Sequence, residues 1–326
     1  MGRYALFHLL KSLSIRGPIL LPGYLCESVL EPVRRLGIEI VFYDLDLIDL
    51  NANLESIEFL TKEFKCEAVM VASMYGNPAD LTRIERYCAE AGLFLIDDAA
   101  QSFGSLLDNR HVGTFGNGGF FSFSPGKPTA GHMGAFLWSE KEIIIKRTRH
   151  DLYHRLAYCD FYFNRLYRYR FNQYKFFRIF SLLRRALGRI VDISNDEISH
   201  FEKEILGGIL KTQLSDGFGF RMKWTTEFIS RFSLNNYFRV IHSVRGEARP
   251  HKLVALCNDK TTAMAMIKFL DEKAIFALNG YEPLTEDYQY LPNLEKIKGR
   301  VVEMPIEDNE AKMNYLFNTL TEFVNQ

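Results

Sequence analysis

The chain has 326 residues and no net formal charge, because 40 Lys and Arg balance 40 Asp and Glu, and 47% of its residues are hydrophobic. This composition is typical of a folded globular protein and excludes disordered, collagen-like and coiled-coil chains. At this length about three quarters of the extended-chain surface can be buried, so two adjoining domains are expected.

The spacing of the cysteines and the length of the apolar runs indicate the cellular compartment of the protein. The five cysteines are widely scattered and form neither a C-x-x-C pair nor a zinc-type pattern, which favours a reducing environment and argues against a disulfide scaffold or a metal site. No apolar run reaches the roughly 18 residues that span a bilayer. The first residues also lack the basic region and cleavage site of a secretory signal. The sequence therefore predicts a cytoplasmic protein.

The first 140 residues alternate short apolar runs with longer helical patterns. The apolar runs lie at 18–22, 38–46, 68–74, 93–99, 118–124 and 134–139. Segments with apolar residues at three- and four-residue spacing lie at 5–13, 26–36, 54–64 and 79–91. This alternation predicts an α/β domain with a mainly parallel sheet and crossover helices.

Residues 146–190 form a basic aromatic block, with twelve Lys and Arg against two Asp. We interpret the block as an inserted helical hairpin that buries its aromatic residues against the large domain or a second subunit. Steering of an anionic substrate, such as one with a diphosphate group, and contact with an anionic membrane remain alternatives, although membrane contact is not favoured. Nucleic-acid binding is not expected.

The remaining chain predicts a small C-terminal α+β domain. Helical patterns cover 199–214 and continue to about residue 238, short strands are expected at 251–256 and 300–305, and a terminal helix at 309–324. We therefore place the large domain at 1–198, including the basic insert, and the small domain at 199–326.

Two of the predicted strands end in residues that can carry chemistry. Asp97 and Asp98 close the run 93–99, and Lys127 follows the run 118–124. In parallel α/β sheets ligands bind at the carboxyl ends of strands. Taken alone, the acids could cap a helix and the lysine could be a solvated loop residue. Together, an acid and a lysine at neighbouring strand ends are the pair that pyridoxal phosphate requires.

Three segments resemble the sugar-nucleotide aminotransferases of the DegT/StrS group. IDDAAQSFGS (96–105) is similar to their E-D-A-A-Q/H-x-x-G segment, FSFSPGK (121–127) to F-S-F-x-x-x-K, and SMYGNPADLTRIERYCAEAG (73–92) to the stretch with Y/F-G-x-P-A-D. The resemblance implies the type I pyridoxal phosphate fold, with a seven-stranded-type sheet in the large domain.

The same resemblance implies roles for particular residues. Lys127 takes the position of the Schiff-base lysine, and Asp98 that of the acid that pairs with the pyridinium nitrogen. Gln101 takes the position against the cofactor ring, and Ser122 that of a phosphate ligand. Lys127 also distinguishes the chain from the group's dehydratases, in which a histidine replaces the lysine.

Further positions are implied by segments at both ends of the chain. GRYAL (2–6) resembles the phosphate-binding S-G-T/R-x-A-L turn, so Gly2 and Arg3 are expected at the phosphate. Asn195, in the segment 194–214, takes the position of an asparagine that reaches the phosphate of the partner subunit, which implies a homodimer.

The sequence departs from the family pattern at several positions. Cys26 replaces the aromatic residue that stacks on the ring, and Tyr24 is the neighbouring aromatic that could compensate. Glu197 replaces an arginine, and Gly280 replaces a histidine in GYEPL (280–284). His132, which follows Lys127 in a glycine-rich turn, is expected to be structural.

The resemblance implies that amino groups are transferred from an amino acid, glutamate being expected, to a keto-sugar nucleotide for polysaccharide or glycoside biosynthesis. Family members begin tens of residues before the phosphate-binding turn, with a segment that helps to cover the substrate. The alternative is therefore a catalytically silent or regulatory partner protein on the same fold that lacks this segment. A start of translation upstream of Met1 is a further alternative.

Overall fold

The computed structural model describes residues 1–124, 126–129, 134–145, 148–168, 178–193, 195–196, 200–212 and 219–325. His132 and Glu197, which the sequence analysis singled out, lie outside these residues.

The described part of the first 140 residues contains eight strands, numbered in chain order. They are β1 (Ile19–Pro22), β2 (Ile40–Tyr43), β3 (Ala68–Ala72), β4 (Phe94–Asp98), β5 (Leu106–Leu107), β6 (Arg110–His111), β7 (Gly118–Ser122) and β8 (Ala135–Ser139). Six of them form one sheet in the order β2-β1-β3-β4-β7-β8, and each of the six lies within a predicted apolar run. All neighbours in this sheet pair in parallel except β7 and β8. The mainly parallel α/β prediction is confirmed, with six strands in the described part of the sheet where the resemblance implied seven.

Four helices accompany this sheet. They are α1 (Gly2–Leu13), α2 (Leu30–Arg35), α3 (Leu54–Phe64) and α4 (Leu81–Ala91). The amide of Ser56 donates to the side chain of Asn53 (2.8 Å), which caps the start of α3. Helix α2 is shorter than predicted and follows a 3₁₀ turn at Glu27–Val29. Pro32 explains this, because it has no N–H to donate to a carbonyl four residues earlier and is tolerated only in a first turn.

The basic block contributes two helices, α5 (Asp151–Arg168) and α6 (Arg178–Leu187). On the hairpin side, Tyr153 and Ala157 are buried together with Ile193, and Met1 and Tyr4 of the α1 region pack against them. The predicted helices are therefore present, and the base of this hairpin rests on the beginning of α1.

The C-terminal part forms a second, antiparallel sheet in the order β11-β12-β10-β9. Its elements are α7 (His200–Thr212), α8 (Gly219–Phe232), β9 (Phe238–Ile241), β10 (Lys252–Cys257), α9 (Lys260–Glu272), β11 (Leu278–Asn279), α10 (Pro292–Ile297), β12 (Val301–Pro305) and α11 (Glu310–Val324). The predicted helix up to residue 238 ends earlier, since the Asn235 side chain donates to the Phe232 carbonyl (2.7 Å) and accepts from the amides of Tyr237 and Phe238.

Hydrophobic cores lie beside both sheets, and one of them contains residues of both, since Val254 of β10 and Val301 of β12 join the leucines of α1 in it. The buried leucines of α1 belong to one core beside the six-stranded sheet, and the buried faces of α3 and α4 belong to a second. A third core, with Trp224, Phe228 and Phe317, lies beside the four-stranded sheet. These observations agree with a large and a small domain, while the proposed boundary after residue 198 stays a prediction. Within the described residues, no helix is long and apolar enough to cross a membrane.

Candidate active site

A cavity of about 440 Å³ lies where the large sheet meets the beginning of α1 and the hairpin α5–α6. Six of the predicted site residues line it: Gly2, Arg3, Asp98, Gln101, Ser122 and Lys127. These residues are separated by up to 125 positions in the sequence, so the fold brings them together. The volume falls in the range of small-molecule sites.

Asp97 and Asp98 have different environments because successive side chains of a strand point to opposite faces. Asp98 lines the cavity, and its Oδ1 accepts a hydrogen bond from the Ala100 amide (2.9 Å). Asp97 lies outside the cavity lining, and its Oδ2 accepts from the amides of Gly113 (2.5 Å) and Phe115 (3.1 Å). Asp98 is therefore the acid that is available to a ligand.

Burial changes the acidity of both carboxyl groups. Burial raises the pKa of Asp98 to about 6, although the nearby charge of Lys127 and the Ala100 amide act in the opposite direction. Burial raises the pKa of Asp97 to about 7, against the effect of its two amide donors. A positively charged partner in the cavity would favour the ionised form of Asp98.

Lys127 lies on the loop after β7 and faces the same cavity as Asp98. Its amide donates to the Ser124 carbonyl (3.2 Å), which closes a turn in this loop. From the C-terminal part, Nη2 of Arg221 on α8 donates to the Pro128 carbonyl (2.9 Å). The loop that contains Lys127 is thus stabilised by a hydrogen bond within the large domain and by another from the C-terminal part.

The beginning of α1 approaches β7 closely at one end of the cavity. A Cβ added to Gly2 would lie 3.1 Å from Cβ and 3.3 Å from Oγ of Ser122. Ser122 Oγ lies 3.3 Å from Ser124 Oγ, and both serines line the cavity. Amides of a first helical turn have no partner within the helix and favour anions. This end of the cavity therefore suits a phosphate group.

Gln101 is buried, and both ends of its amide have partners. Its Oε1 accepts from the Tyr75 amide (3.3 Å), and its Nε2 lies 3.6 Å from Sδ of Met74. Tyr75 adopts a left-handed backbone conformation with φ of 58°. The amide plane of Gln101 is therefore fixed in the cavity wall, as a residue against a flat ring would need.

Tyr24 and Asn195 lie outside the cavity lining of their own chain. The Tyr24 hydroxyl lies 2.7 Å from the Tyr75 hydroxyl, which donates to Oε1 of Glu303 (2.8 Å). Tyr24 therefore takes part in a buried polar cluster, and Cys26 is the side chain that lines the cavity in this region. The Asn195 carbonyl accepts from the Thr148 amide (3.2 Å) beside the start of α5.

Sequence reasoning missed several residues of the cavity wall: Ser73, Ser124, Asp160 and Arg184. Ser124 could have been found, because it stands two positions after Ser122 at the same strand end. Nothing in the sequence distinguished Asp160 or Arg184 from the other charged residues of the basic block, since only tertiary packing brings that block to the cavity.

The fold and the cavity define the class: a type I fold with an acid and a lysine at neighbouring strand ends. The model of the DegT/DnrJ/EryC1/StrS aminotransferase family matches residues 2–171. The chain belongs to this family, which depends on pyridoxal phosphate, and the resemblance seen in the sequence is confirmed.

Curated relatives and solved structures agree with this assignment. The chain is 28% identical over 129 residues to GDP-perosamine synthase of Vibrio cholerae, covering 40% of this chain and 35% of that protein. It is 31% identical over 150 residues to a UDP-N-acetyl-3-dehydro-alpha-D-glucosamine 3-aminotransferase of Acidithiobacillus ferrooxidans, covering 44% and 40%. These matches thus span well under half of the curated relatives' length.

A solved structure extends the likeness of fold to nearly the whole chain. The structure of the Escherichia coli GDP-4-keto-6-deoxy-D-mannose-3-dehydratase with bound hydrated PLP superposes with a TM-score of 0.71 at 16% identity. The match covers 98% of this chain and 85% of that chain. At this identity the likeness concerns the fold, so the relatives together leave both amino transfer and dehydration open.

Proposed function

We propose that the protein is a pyridoxal phosphate-dependent aminotransferase that moves an amino group from an amino acid, glutamate being the expected donor, to a keto-sugar nucleotide. The observation that carries the proposal is the pair in the cavity: the buried Asp98 and the half-buried Lys127 line the same cavity, and the lysine's charge opposes the rise that burial causes in the pKa of Asp98. Polysaccharide or glycoside biosynthesis is the setting that the relatives' names suggest.

The residues of the cavity fit the cofactor. The first turn of α1 and the hydroxyls of Ser122 and Ser124 would hold its phosphate, at the place where a Cβ on residue 2 would lie 3.1 Å from Cβ of Ser122. Within the described residues, the second carboxylate oxygen of Asp98 accepts no hydrogen bond, which leaves it for a protonated ring nitrogen. Arg3 adds a positive charge to the phosphate end.

When bound, pyridoxal phosphate supplies an electron sink that stabilises negative charge at the reacting carbon. Lys127 would hold the cofactor through Nζ and, once the donor's amine has displaced it, Nζ would act as the general base that carries the proton of the 1,3-shift. Asp98 would keep the proton on the ring nitrogen. The fixed amide of Gln101 would orient the ring.

Lys127 favours amino transfer over dehydration. The group's dehydratases carry a histidine at the position of this lysine, as the sequence resemblance implies, and this chain has the lysine. The catalytically silent alternative is less well supported, since a protein without cofactor chemistry has no need of a buried carboxyl group facing a lysine.

Assembly and location belong to the same proposal. We propose a homodimer in which Asn195 reaches the cavity of the partner subunit, which agrees with its place outside the cavity of its own chain. A cytoplasmic location is supported by the five cysteines, all of which are free thiols.

The absorbance spectrum of the purified protein with added pyridoxal phosphate tests the proposal. We expect a visible absorbance band that is lost in Lys127→Ala and that shifts when L-glutamate is added. Lys141→Ala is the matched control, because Lys141 lies on the surface after β8 and outside the cavity lining. Lys141→Ala should retain the wild-type spectrum.

Two results would contradict the proposal. A wild-type protein that takes up no pyridoxal phosphate would favour the silent partner. A band that forms normally but shows no response to glutamate or to other amino acids would exclude the amino-transfer half-reaction.

A further inference from the structure

The hairpin α5–α6 forms part of the cavity wall through one charged pair. Arg184 on α6 and Asp160 on α5 both line the cavity, and Nε of Arg184 donates to Oδ2 of Asp160 (3.0 Å). The Asp160 side chain is only 10% exposed, whereas 31% of the Arg184 side chain is exposed. The carboxylate therefore anchors the arginine, and the guanidinium retains an open side.

The terminal nitrogens of this guanidinium are available. Among the described residues, Nη1 and Nη2 of Arg184 have no hydrogen-bond acceptor, since the bond to Asp160 uses Nε alone. An arginine presents its donors in a planar fork that matches carboxylate and phosphate oxygens. The unused donors lie on a residue that lines the cavity.

The base of the hairpin is fixed relative to the proposed phosphate end. Tyr153 and Ala157 are buried in a cluster to which Tyr4 of α1 also belongs. At the start of α5, the buried carboxylate of Asp196 accepts from the His150 amide (3.0 Å) and from the Thr148 hydroxyl (2.6 Å). Arg184 therefore projects from a supported element and is not the end of a free surface helix.

The charges around the cavity distinguish Arg184 from its neighbours on the block. Arg185, the next residue, lies outside the cavity lining and donates to the Ser181 hydroxyl on its own helix (2.9 Å). Arg3 stands on α1 at the phosphate end, and the charge of Lys127 acts on Asp98. Among the described side chains of the hairpin, Arg184 is thus the cation that lines the cavity.

We propose that Arg184, anchored by Asp160, binds an oxyanion of the substrate, so that the hairpin α5–α6 is the substrate-binding wall of the cavity. This inference rests on the proposed function. The oxyanion is either the carboxylate of the amino donor or the diphosphate of the sugar nucleotide, which share the chemistry that a guanidinium fork recognises. In this proposal the basic block binds the substrate in the cavity and does not merely cover the cavity.

Isothermal titration calorimetry on the protein loaded with pyridoxal phosphate tests the proposal, with inorganic pyrophosphate and 2-oxoglutarate as separate probes, since this keto acid carries the donor's carboxylates but no amine that reacts with the cofactor. In Arg184→Gln we expect about 10- to 100-fold weaker binding of one probe, which is the usual worth of a hydrogen bond to a charged group. The affected probe identifies the source of the oxyanion. Arg184→Lys keeps the charge without the fork and should recover part of the affinity.

Arg185→Gln is the control, since it removes the same charge from the neighbouring position. Equal affinities of Arg184→Gln, Arg185→Gln and the wild type for both probes would overturn the proposal. Loss of bound pyridoxal phosphate in Arg184→Gln alone would also overturn it, because Arg184 would then serve the cofactor. If the wild type takes up no cofactor, that result contradicts the proposed function but not the oxyanion site. A loss of pyrophosphate binding in Arg184→Gln, and not in Arg185→Gln, would then still support the oxyanion site.

Discussion

Asp97 and Asp98 are chemically identical residues at adjacent positions of β4, yet their environments in the structure differ. Asp97 holds the turn at Gly113 and Phe115 through two amide donors, whereas Asp98 faces the cavity and Lys127. The alternation of side chains along a strand is sufficient to separate a structural acid from a functional one. Matched substitutions at the two positions should therefore have different consequences.

We expect Asp98→Asn to reduce the rate of the glutamate-induced spectral change far more than it reduces cofactor content, because the amide cannot keep the ring nitrogen protonated. Asp97→Asn should retain most of that rate. Stopped-flow absorbance, with cofactor content measured on the same samples, checks both. Equal losses of rate and cofactor in Asp98→Asn would contradict the proposed role.

The raised pKa of Asp97 also predicts that the stability of the protein depends on pH. Burial raises the pKa of Asp97 to about 7 in the folded protein, against an ordinary value of 3.8 for aspartate. Between these pH values the folded state therefore holds a proton that the unfolded chain releases. Asp97 thus makes its full contribution to the free energy of unfolding below about pH 4. This contribution decreases as the pH rises to about 7, by at most about 4 kcal/mol. Urea unfolding of wild type and Asp97→Asn at pH 4, 5.5 and 7 measures it. A difference between the two proteins that does not change with pH would contradict the assignment.

At the scale of elements, the contact between the residues after β1 and those after β11 shows how a departure from the family pattern is accommodated. Gly280 follows β11, and its amide donates to the Val301 carbonyl (2.8 Å). A Cβ at this position would lie 2.1 Å from the Tyr24 hydroxyl and 2.8 Å from Cβ of Val301. The space that a larger residue at position 280 would need is therefore occupied by Tyr24, which explains why this chain has glycine.

We expect Gly280→Ala to destabilise the protein by about 1–3 kcal/mol, the usual cost of overpacking. Tyr24→Phe removes the nearest of the two clashing groups, so the double variant should lose less than the sum of the single changes. Urea unfolding checks the cycle. Gly207→Ala on α7 is the control, since nothing lies within 4 Å of its added Cβ; strict additivity of the two changes would contradict the packing explanation.

At the scale of the whole molecule, a buried polar cluster joins the two sheets beside the site. Tyr75, after β3, donates to Glu303 on β12, and Glu303 also pairs with Lys252 on β10. Tyr24 donates to Tyr75 and accepts from the Tyr281 amide (3.2 Å). Because the Tyr75 amide in turn holds Gln101, the cluster links the position of the small sheet to the cavity wall.

Tyr75→Phe should destabilise the protein by about 1–3 kcal/mol, because Oε1 of Glu303 loses its donor and the Tyr24 hydroxyl loses its acceptor in a buried site. Tyr87→Phe is the matched control: its half-buried hydroxyl makes a long contact of 3.4 Å to the Glu58 carbonyl, and the substitution should cost less than about 0.5 kcal/mol. Urea unfolding followed by fluorescence and by circular dichroism measures both. Similar losses in the two variants would show that the cluster does not join the sheets.

Local patterns by themselves determined much of this protein. The six apolar runs predict the strands of the large sheet, and the helical spacing predicts α1, α3 and α4, because period and length are properties of short segments. The motifs around Asp98 and Lys127 identify the family and the ends of the strands that carry the site. Helix α9 and strand β9 were missed, as their apolar residues are explained only by the core that they share with Trp224 and Phe317.

Only the tertiary structure decided which residues complete the site. The choice between Asp97 and Asp98 depends on which face of β4 meets the cavity, and the orientation of Tyr24 depends on a cluster assembled from both sheets. Arg184 is one of twelve basic residues in its block and acquires a place at the cavity through the packing of the hairpin on α1. Such contacts join residues that are distant in the chain, and no local period or motif shows that these residues are close in space.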